Sequence, residues 1–88
     1  MSKTALITGG AKRIGRAISL SLAEQGFDII IHYSQSEKEA EELVLKLRDF
    51  KVNAFSIKTD LLNDLEISSL VERSNKLIGK PIDLLINN

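Results

Sequence analysis

Cysteine is absent from this chain, histidine and proline occur once each, and neither sign of charge is in excess. Without cysteine there is no disulfide framework and no thiolate metal site, a composition that fits a reducing compartment. One histidine among scattered carboxylates does not make a metal centre. Twelve basic residues against twelve acidic ones give no net drive toward nucleic acid or an anionic membrane, so any basic character that matters must be local. No apolar run approaches the roughly 18 residues of a membrane-spanning helix. Met1-Ser2-Lys3 leads directly into a strand rather than into a basic segment with a cleavage site. The expected location is the cytoplasm, with neither nucleic acid nor membrane as partner.

What is present is regular alternation. The hydrophobic share of 43% is that of an ordinary globular chain. Lys3 to Thr8 is a short apolar run ending at glycines, as expected of a buried strand. From Arg13 to Gln25, Ile14, Ala17, Ile18 and Leu22 recur at helical spacing, and Gly26 supplies a stop. Asp28 to Tyr33 holds Ile29-Ile30-Ile31, a β-branched run that reads as a strand buried on both faces. Ser36 with Glu39 forms a capping-box pattern, followed by Ala40, Leu43, Val44 and Leu47 on one helical face. Val52 to Lys58 is a third strand. Asn63 with Glu66 repeats the capping pattern, and Ile67, Leu70, Val71, Ser74, Leu77 and Ile78 follow at helical period. Gly79-Lys80-Pro81 ends that helix, and Ile82 to Asn87 is a fourth strand.

The order β-α-β-α-β-α-β, with short joints and no linker or repeat, implies an α/β fold with a parallel sheet covered by helices. Right-handed crossovers and one reversal place the fourth strand beside the first, giving strand order 3-2-1-4. This is half of a Rossmann-like, doubly wound sheet. Ligands bind in such sheets at the crevice where the order reverses. Thr8-Gly9-Gly10-Ala11-Lys12-Arg13-Ile14-Gly15 and Asn87-Asn88 both fall at the carboxyl ends of the two strands that flank it. A phosphate at a helix N-terminus gains from free N–H groups and the helix dipole, and glycine allows the approach.

Thr8-Gly9-x-x-x-Arg13-Ile14-Gly15 resembles the Thr-Gly-x-x-x-Gly-x-Gly loop of the short-chain dehydrogenases/reductases. Asp60-Leu61 resembles that family's adenine-contacting pair, and Leu85-Ile86-Asn87-Asn88 the start of its Asn-Asn-Ala-Gly turn. Arg13 replaces the middle glycine. Together with His32-Tyr33-Ser34-Gln35-Ser36, that replacement is similar to the pteridine reductase branch, which includes dihydromonapterin-type reductases. Gln35 stands where the branch has a second basic residue. The resemblance implies a cofactor site of Gly9, Lys12, Arg13, Ile14, Gly15, His32, Tyr33, Ser34, Ser36, Asp60, Leu61, Asn87 and Asn88.

An acidic residue after the second strand would hold both ribose hydroxyls and repel a 2′-phosphate, and none stands there. Arg13 offers a guanidinium fork suited to phosphate, Ser34 and Ser36 offer hydroxyls, and a neutral His32 offers one donor. NADP(H) is therefore expected over NAD. Basic residues at Lys12, Arg13 and Arg16 oppose the dipole of the helix they open, which an anionic partner explains better than a merely solvated face.

In the family a tyrosine donates the proton, and a lysine four residues on lowers its pKa. The one tyrosine here, Tyr33, is followed by Glu37, and Glu37, Glu39, Glu41 and Glu42 read as a solvated helix face. Residues 1–88 are thus expected to be a truncated dinucleotide-binding domain, lacking a catalytic C-terminal half and inactive by itself. The intact relative would reduce a pterin or dihydropterin. The open edge of the fourth strand invites self-association or a complementing half. The rival readings are a stand-alone nucleotide-binding or interaction module pairing with a full-length reductase, and a degenerate fragment without retained function.

Overall fold

The computed structural model describes residues 2–60 and 64–88. Seven elements alternate: β1 (Thr4–Ile7), α1 (Arg13–Glu24), β2 (Asp28–Tyr33), α2 (Glu37–Arg48), β3 (Ala54–Lys58), α3 (Asp64–Ile78) and β4 (Leu84–Ile86). The strands form one parallel sheet in the order β3-β2-β1-β4, as expected. β1 pairs Leu6 with Ile30 on one side and with Leu85 on the other. Backbone bonding continues past the strand end, where Thr8 N–H donates to the Ile86 carbonyl at 3.0 Å. Among the described residues no helix is long and apolar enough to cross a membrane.

Alternate strand residues serve two separate cores. Ala5, Ile7, Ile29 and Ile31 face α1 and α2 together with Ala23, Ala40, Leu43 and Leu47. Leu6, Ile30 and Ile57 face α3 through Leu70. The Ile29-Ile30-Ile31 run therefore fills both layers and is fully buried, each side chain contributing about 1.5–3 kcal/mol. On α2, Ala40, Leu43, Val44 and Leu47 form the buried stripe that their spacing predicts.

The stripe on α1 is different. Its buried residues are Gly15, Ser19 and Ala23, while Ile14 is 68% exposed. Small residues at every fourth position let this helix lie close to the sheet, and the Ser19 hydroxyl is satisfied by donating to the Gly15 carbonyl at 2.8 Å. On α3, Leu77 is exposed although it keeps helical period with the buried Leu70 and Ser74.

Two strand starts also move. β3 begins at Ala54 rather than Val52 because Lys51 takes a left-handed φ of +64° and the Asn53 N–H donates to the Asp28 carboxylate instead of to a backbone carbonyl of β2. β4 begins at Leu84 because the Ile82 N–H donates to the Asn75 side chain. Ser36 caps α2 without a side-chain hydrogen bond, so the expected capping box does not close. The Asn63 cap expected for α3 lies outside the described residues.

The N-terminal end of the sheet is tied by charge. Asp28 is 3% exposed and accepts from the Asn53 N–H at 2.8 Å and from Lys80 Nζ at 2.6 Å, and the same ammonium donates to the Ser2 carbonyl at 2.8 Å. Burial pushes the Asp28 carboxyl up. The hydrogen bonds from Lys80 and Asn53 and the Lys80 charge outweigh that and leave it below the ordinary 3.8. One side chain thereby joins β2, β3, the N-terminus and the segment before β4.

Lys80→Met should cost about 2 kcal/mol of stability in urea titrations at neutral pH, since it leaves a buried carboxylate without its cation. Because Asp28 ionises more readily folded than unfolded, its contribution is complete above about pH 4 and is lost as acid protonates the folded-state carboxyl. Asp28→Asn should therefore flatten the fall in stability below that pH, and an unchanged acid limb would show that other carboxylates cause it.

Candidate functional site

The carboxyl ends of β1 and β4 meet the start of α1. Thr8 is the joint: its hydroxyl accepts from the Asn88 N–H at 2.9 Å and donates to Asn87 Oδ1 at 3.1 Å. Asn88 Nδ2 in turn donates to the Gly9 carbonyl at 3.1 Å. The two motifs at the ends of the chain thus form one bonded unit, although they stand about eighty residues apart.

Steric room explains the glycines at this point. A Cβ on Gly15 would lie 2.3 Å from the Gly9 carbonyl oxygen and 2.8 Å from Asn88 Nδ2. Gly9 takes φ +59°. Residue 13 also sits in the left-handed region, at φ +53°, and is an arginine. This is where the family pattern has glycine, and an L-residue held there costs about 1 kcal/mol or more. The first-turn N–H groups of α1, which a helix cannot satisfy within itself, lie next to this glycine contact.

Beside this loop, Lys12, Arg13 and Arg16 face Lys46, Glu39 and Glu42 of α2 across an opening of about 330 Å³ floored by Ala11 and Leu43. Four cations and two carboxylates leave the opening net positive. Lys46 was not among the residues that the motifs single out, and the two glutamates were read as a solvated face. The signal for them was helical periodicity on α2 combined with the sheet order, which turns that face toward the glycine loop. Glu39 and Glu42 thus line a cleft rather than only a solvated face.

The ring of His32 lies on the other side of the loop, 6% exposed. Its Nδ1 accepts the Gly9 N–H at 3.0 Å, and Nε2 stands 2.7 Å from the Thr59 carbonyl. An acceptor at Nδ1 and a carbonyl at Nε2 require the neutral Nε2–H tautomer. Its one donor is directed to Thr59, so in this arrangement none remains for a ligand. Tyr33 ends β2 with its side chain in the α1–α2 core, where burial and then the charges of Glu37 and Glu41 raise its phenol. It holds the next segment through its carbonyl, which accepts the Thr59 N–H at 3.0 Å. Ser34 and Asp60 are exposed at the ends of β2 and β3, Ser36 is half-buried with its hydroxyl uncommitted to the cap, and Leu61 lies outside the described residues. Among the described residues no group of three His, Cys, Asp or Glu could hold a metal ion.

Residues 3–88 match the short chain dehydrogenase family. The 3-oxoacyl-[acyl-carrier-protein] reductase FabG of Staphylococcus aureus is 33% identical over all 88 residues, which span 35% of its length. Acetoin dehydrogenase YohF from Salmonella typhimurium superposes with a TM-score of 0.91 at 36% identity, covering the whole of this chain and 36% of its own. FolM alternative dihydrofolate reductase 1 from Brucella canis, complexed with NADP, superposes with a TM-score of 0.84 at 38% identity, covering 94% of this chain and 33% of its own. The chain therefore spans about a third of the length of these relatives.

Two substitutions in this loop should act in opposite directions. Gly15→Ala should destabilise by about 3 kcal/mol, because the backbone it meets cannot yield without moving the loop. Arg13→Gly should stabilise by about 1 kcal/mol through relief of the left-handed backbone. Chemical denaturation of the two variants beside the parent protein measures both.

Proposed function

The chain belongs to the short-chain dehydrogenase/reductase family, and from that membership we propose that it is the NADP(H)-binding portion of a pteridine-reductase-like oxidoreductase. The observation that carries the cofactor choice is the net-positive opening beside the glycine loop, with Arg13 kept at a strained position inside it. A backbone strained in favour of a charged side chain points to a task for that charge. The absence of an acid after β2 supports the same reading.

In this reading Gly9, Ile14 and Gly15 with the first turn of α1 receive the pyrophosphate, which matches the free N–H groups and positive dipole end there. Lys12, Arg13, Ser34 and Ser36 take the 2′-phosphate. Asp60 and Leu61 border the adenine, and Asn87 and Asn88 close the crevice on the β4 side. Tyr33 and His32 contribute by holding the surrounding backbone. The cofactor would supply the hydride. The proton donor must come from another segment, since these residues contain no Tyr-x-x-x-Lys and Tyr33 is buried at the wrong end of the site. Turnover by these residues alone is not expected. A pterin or dihydropterin as acceptor rests on the Ala11-Lys12-Arg13 run and on the likeness to an NADP-bound dihydrofolate reductase.

The partner surface in this reading is the outer side of β4. Leu84 and Leu85 on β4 are 38% and 43% exposed, and among the described strands β4 is at the edge of the sheet. An unprotected apolar edge pairs with another strand, from a second copy or from a complementing catalytic half.

Calorimetry with NADPH and NADH tests the cofactor. Arg13→Ala should weaken NADPH by about tenfold while leaving NADH nearly unchanged. An equal loss for both would refute the 2′-phosphate assignment, and no binding at millimolar cofactor by a folded sample would refute the whole reading. Size-exclusion chromatography tests the edge: association should rise with concentration and be suppressed in Leu85→Lys, whereas a parent chain monomeric at high concentration speaks against it.

A further inference from the structure

His32 holds the phosphate loop at two consecutive amides. Its carbonyl accepts the Gly10 N–H at 3.0 Å, and its ring accepts the Gly9 N–H at 3.0 Å. No other residue in the described chain grips both. The far side of the same ring is fixed by the Thr59 carbonyl, one residue before Asp60. A single imidazole thus spans from the loop proposed to receive pyrophosphate to the strand end proposed to border adenine.

The Gly9 bond has leverage because of what the rest of that residue does. Gly9 is left-handed at φ +59°, and its carbonyl is both the acceptor for Asn88 Nδ2 and the atom against which Gly15 is packed. The Gly9 N–H and the Gly9 carbonyl belong to the two peptide units on either side of its Cα, so a change in the Gly9 backbone angles turns the group held by His32 against the group held by Asn88. The ring is also buried, so water cannot take over the amide without the loop opening.

Protonation changes the ring at one end only. With a second proton, Nδ1–H points at the Gly9 N–H, and two donors face each other at hydrogen-bond distance. The Nε2–H bond to Thr59 is indifferent to that change. The charged groups on the surrounding elements are Lys12 and Arg13 on the loop, Glu37 at the start of α2, Lys58 and Asp60 at the end of β3, and Glu66 and Arg73 on α3. Both ring nitrogens nonetheless contact backbone groups rather than any of these.

We infer that His32 is a positioning residue: its singly protonated ring sets the phosphate loop in the shape that accepts a dinucleotide, and a second proton releases the loop. The inference rests on the cofactor reading above and adds pH control to it. It also differs from the role of Arg13 in a measurable way. Arg13 acts on the 2′-phosphate, which only NADPH has. His32 acts on the pyrophosphate cradle, which NADH and NADPH share.

The experiment follows NADH affinity as the pH is lowered from about 8 until the nitrogen-15 signals of the ring report its second proton. NADH lacks the 2′-phosphate, whose own ionisation would otherwise enter the profile. Affinity should fall roughly tenfold across that interval, the effect of one lost hydrogen bond. His32→Asn places an amide oxygen near the position of Nδ1 and has no proton to gain. Its NADH affinity should differ by less than about twofold between the two ends of the profile, the tenfold fall of the parent being lost.

In parallel, nitrogen-15 NMR of the unliganded parent chain should show the Nε2–H tautomer and a Gly9 amide signal that moves with the same midpoint as the ring. An Nδ1–H tautomer, a Gly9 signal indifferent to the ring, or an Asn variant with the parental pH profile would each overturn the inference. Binding that is present but flat with pH sinks this inference and leaves the cofactor reading standing. If neither cofactor binds at any pH while Gly9 and the ring titrate together, the cofactor reading has failed, and the functional role of His32 with it.

Discussion

The contact between Gly15 and the Gly9 carbonyl governs the arrangement of everything around it. With 2.3 Å between that oxygen and a Cβ at residue 15, only hydrogen fits, and α1 can press its first turn against the end of β1. The approach continues along Ser19 and Ala23, so the helix is docked by small residues rather than by a large apolar stripe. A tight dock at this end sets the first turn of α1, with its unsatisfied N–H groups, beside the end of β1 and leaves Arg13 and Ile14 outside. The same closeness lets Asn88 reach Gly9, which brings the end of β4 to the loop.

The sheet is organised differently at its two ends. At the N-terminal end, the buried Asp28 carboxylate gathers Lys80, Asn53 and, through Lys80, the Ser2 carbonyl. Those contacts are charge-assisted and fully partnered, and they join segments distant in the chain. At the carboxyl end the joints are neutral: the Thr8 hydroxyl, the Asn88 amide and the His32 ring. Neutral, directional bonds leave the charged side chains of the loop uncommitted. This division suits a domain whose scaffold is locked at one end and whose ligand arrives at the other.

Much of this was legible in advance because it depends on period and order. The Ile29-Ile30-Ile31 run, the α2 stripe and the alternation of elements lead to the strand order that is observed. The glycine loop and the Asn87-Asn88 pair were likewise assigned to one crevice from topology. What could not be read concerns side chains whose partners lie elsewhere in the chain. Helical spacing puts Ile14 on the inner face, but the dock of Gly15 turns it out to 68% exposure. Ser36 has the residue type of a cap and makes no capping bond. His32 could be taken as a ligand donor, yet both its nitrogens are held by Gly9 and Thr59.

The sequence by itself determined the class of the molecule: an alternating α/β chain whose glycine loop and strand ends belong to the short chain dehydrogenase family. Those features are local, set by residue type and spacing along a few positions. Tertiary structure alone decided which atoms meet at that site. The left-handed backbone of Arg13, the tautomer of His32 and the net-positive cleft between α1 and α2 arise only when β1 is placed between β2 and β4. Bonds between residues twenty to eighty positions apart are set by that placement, and no local pattern encodes them.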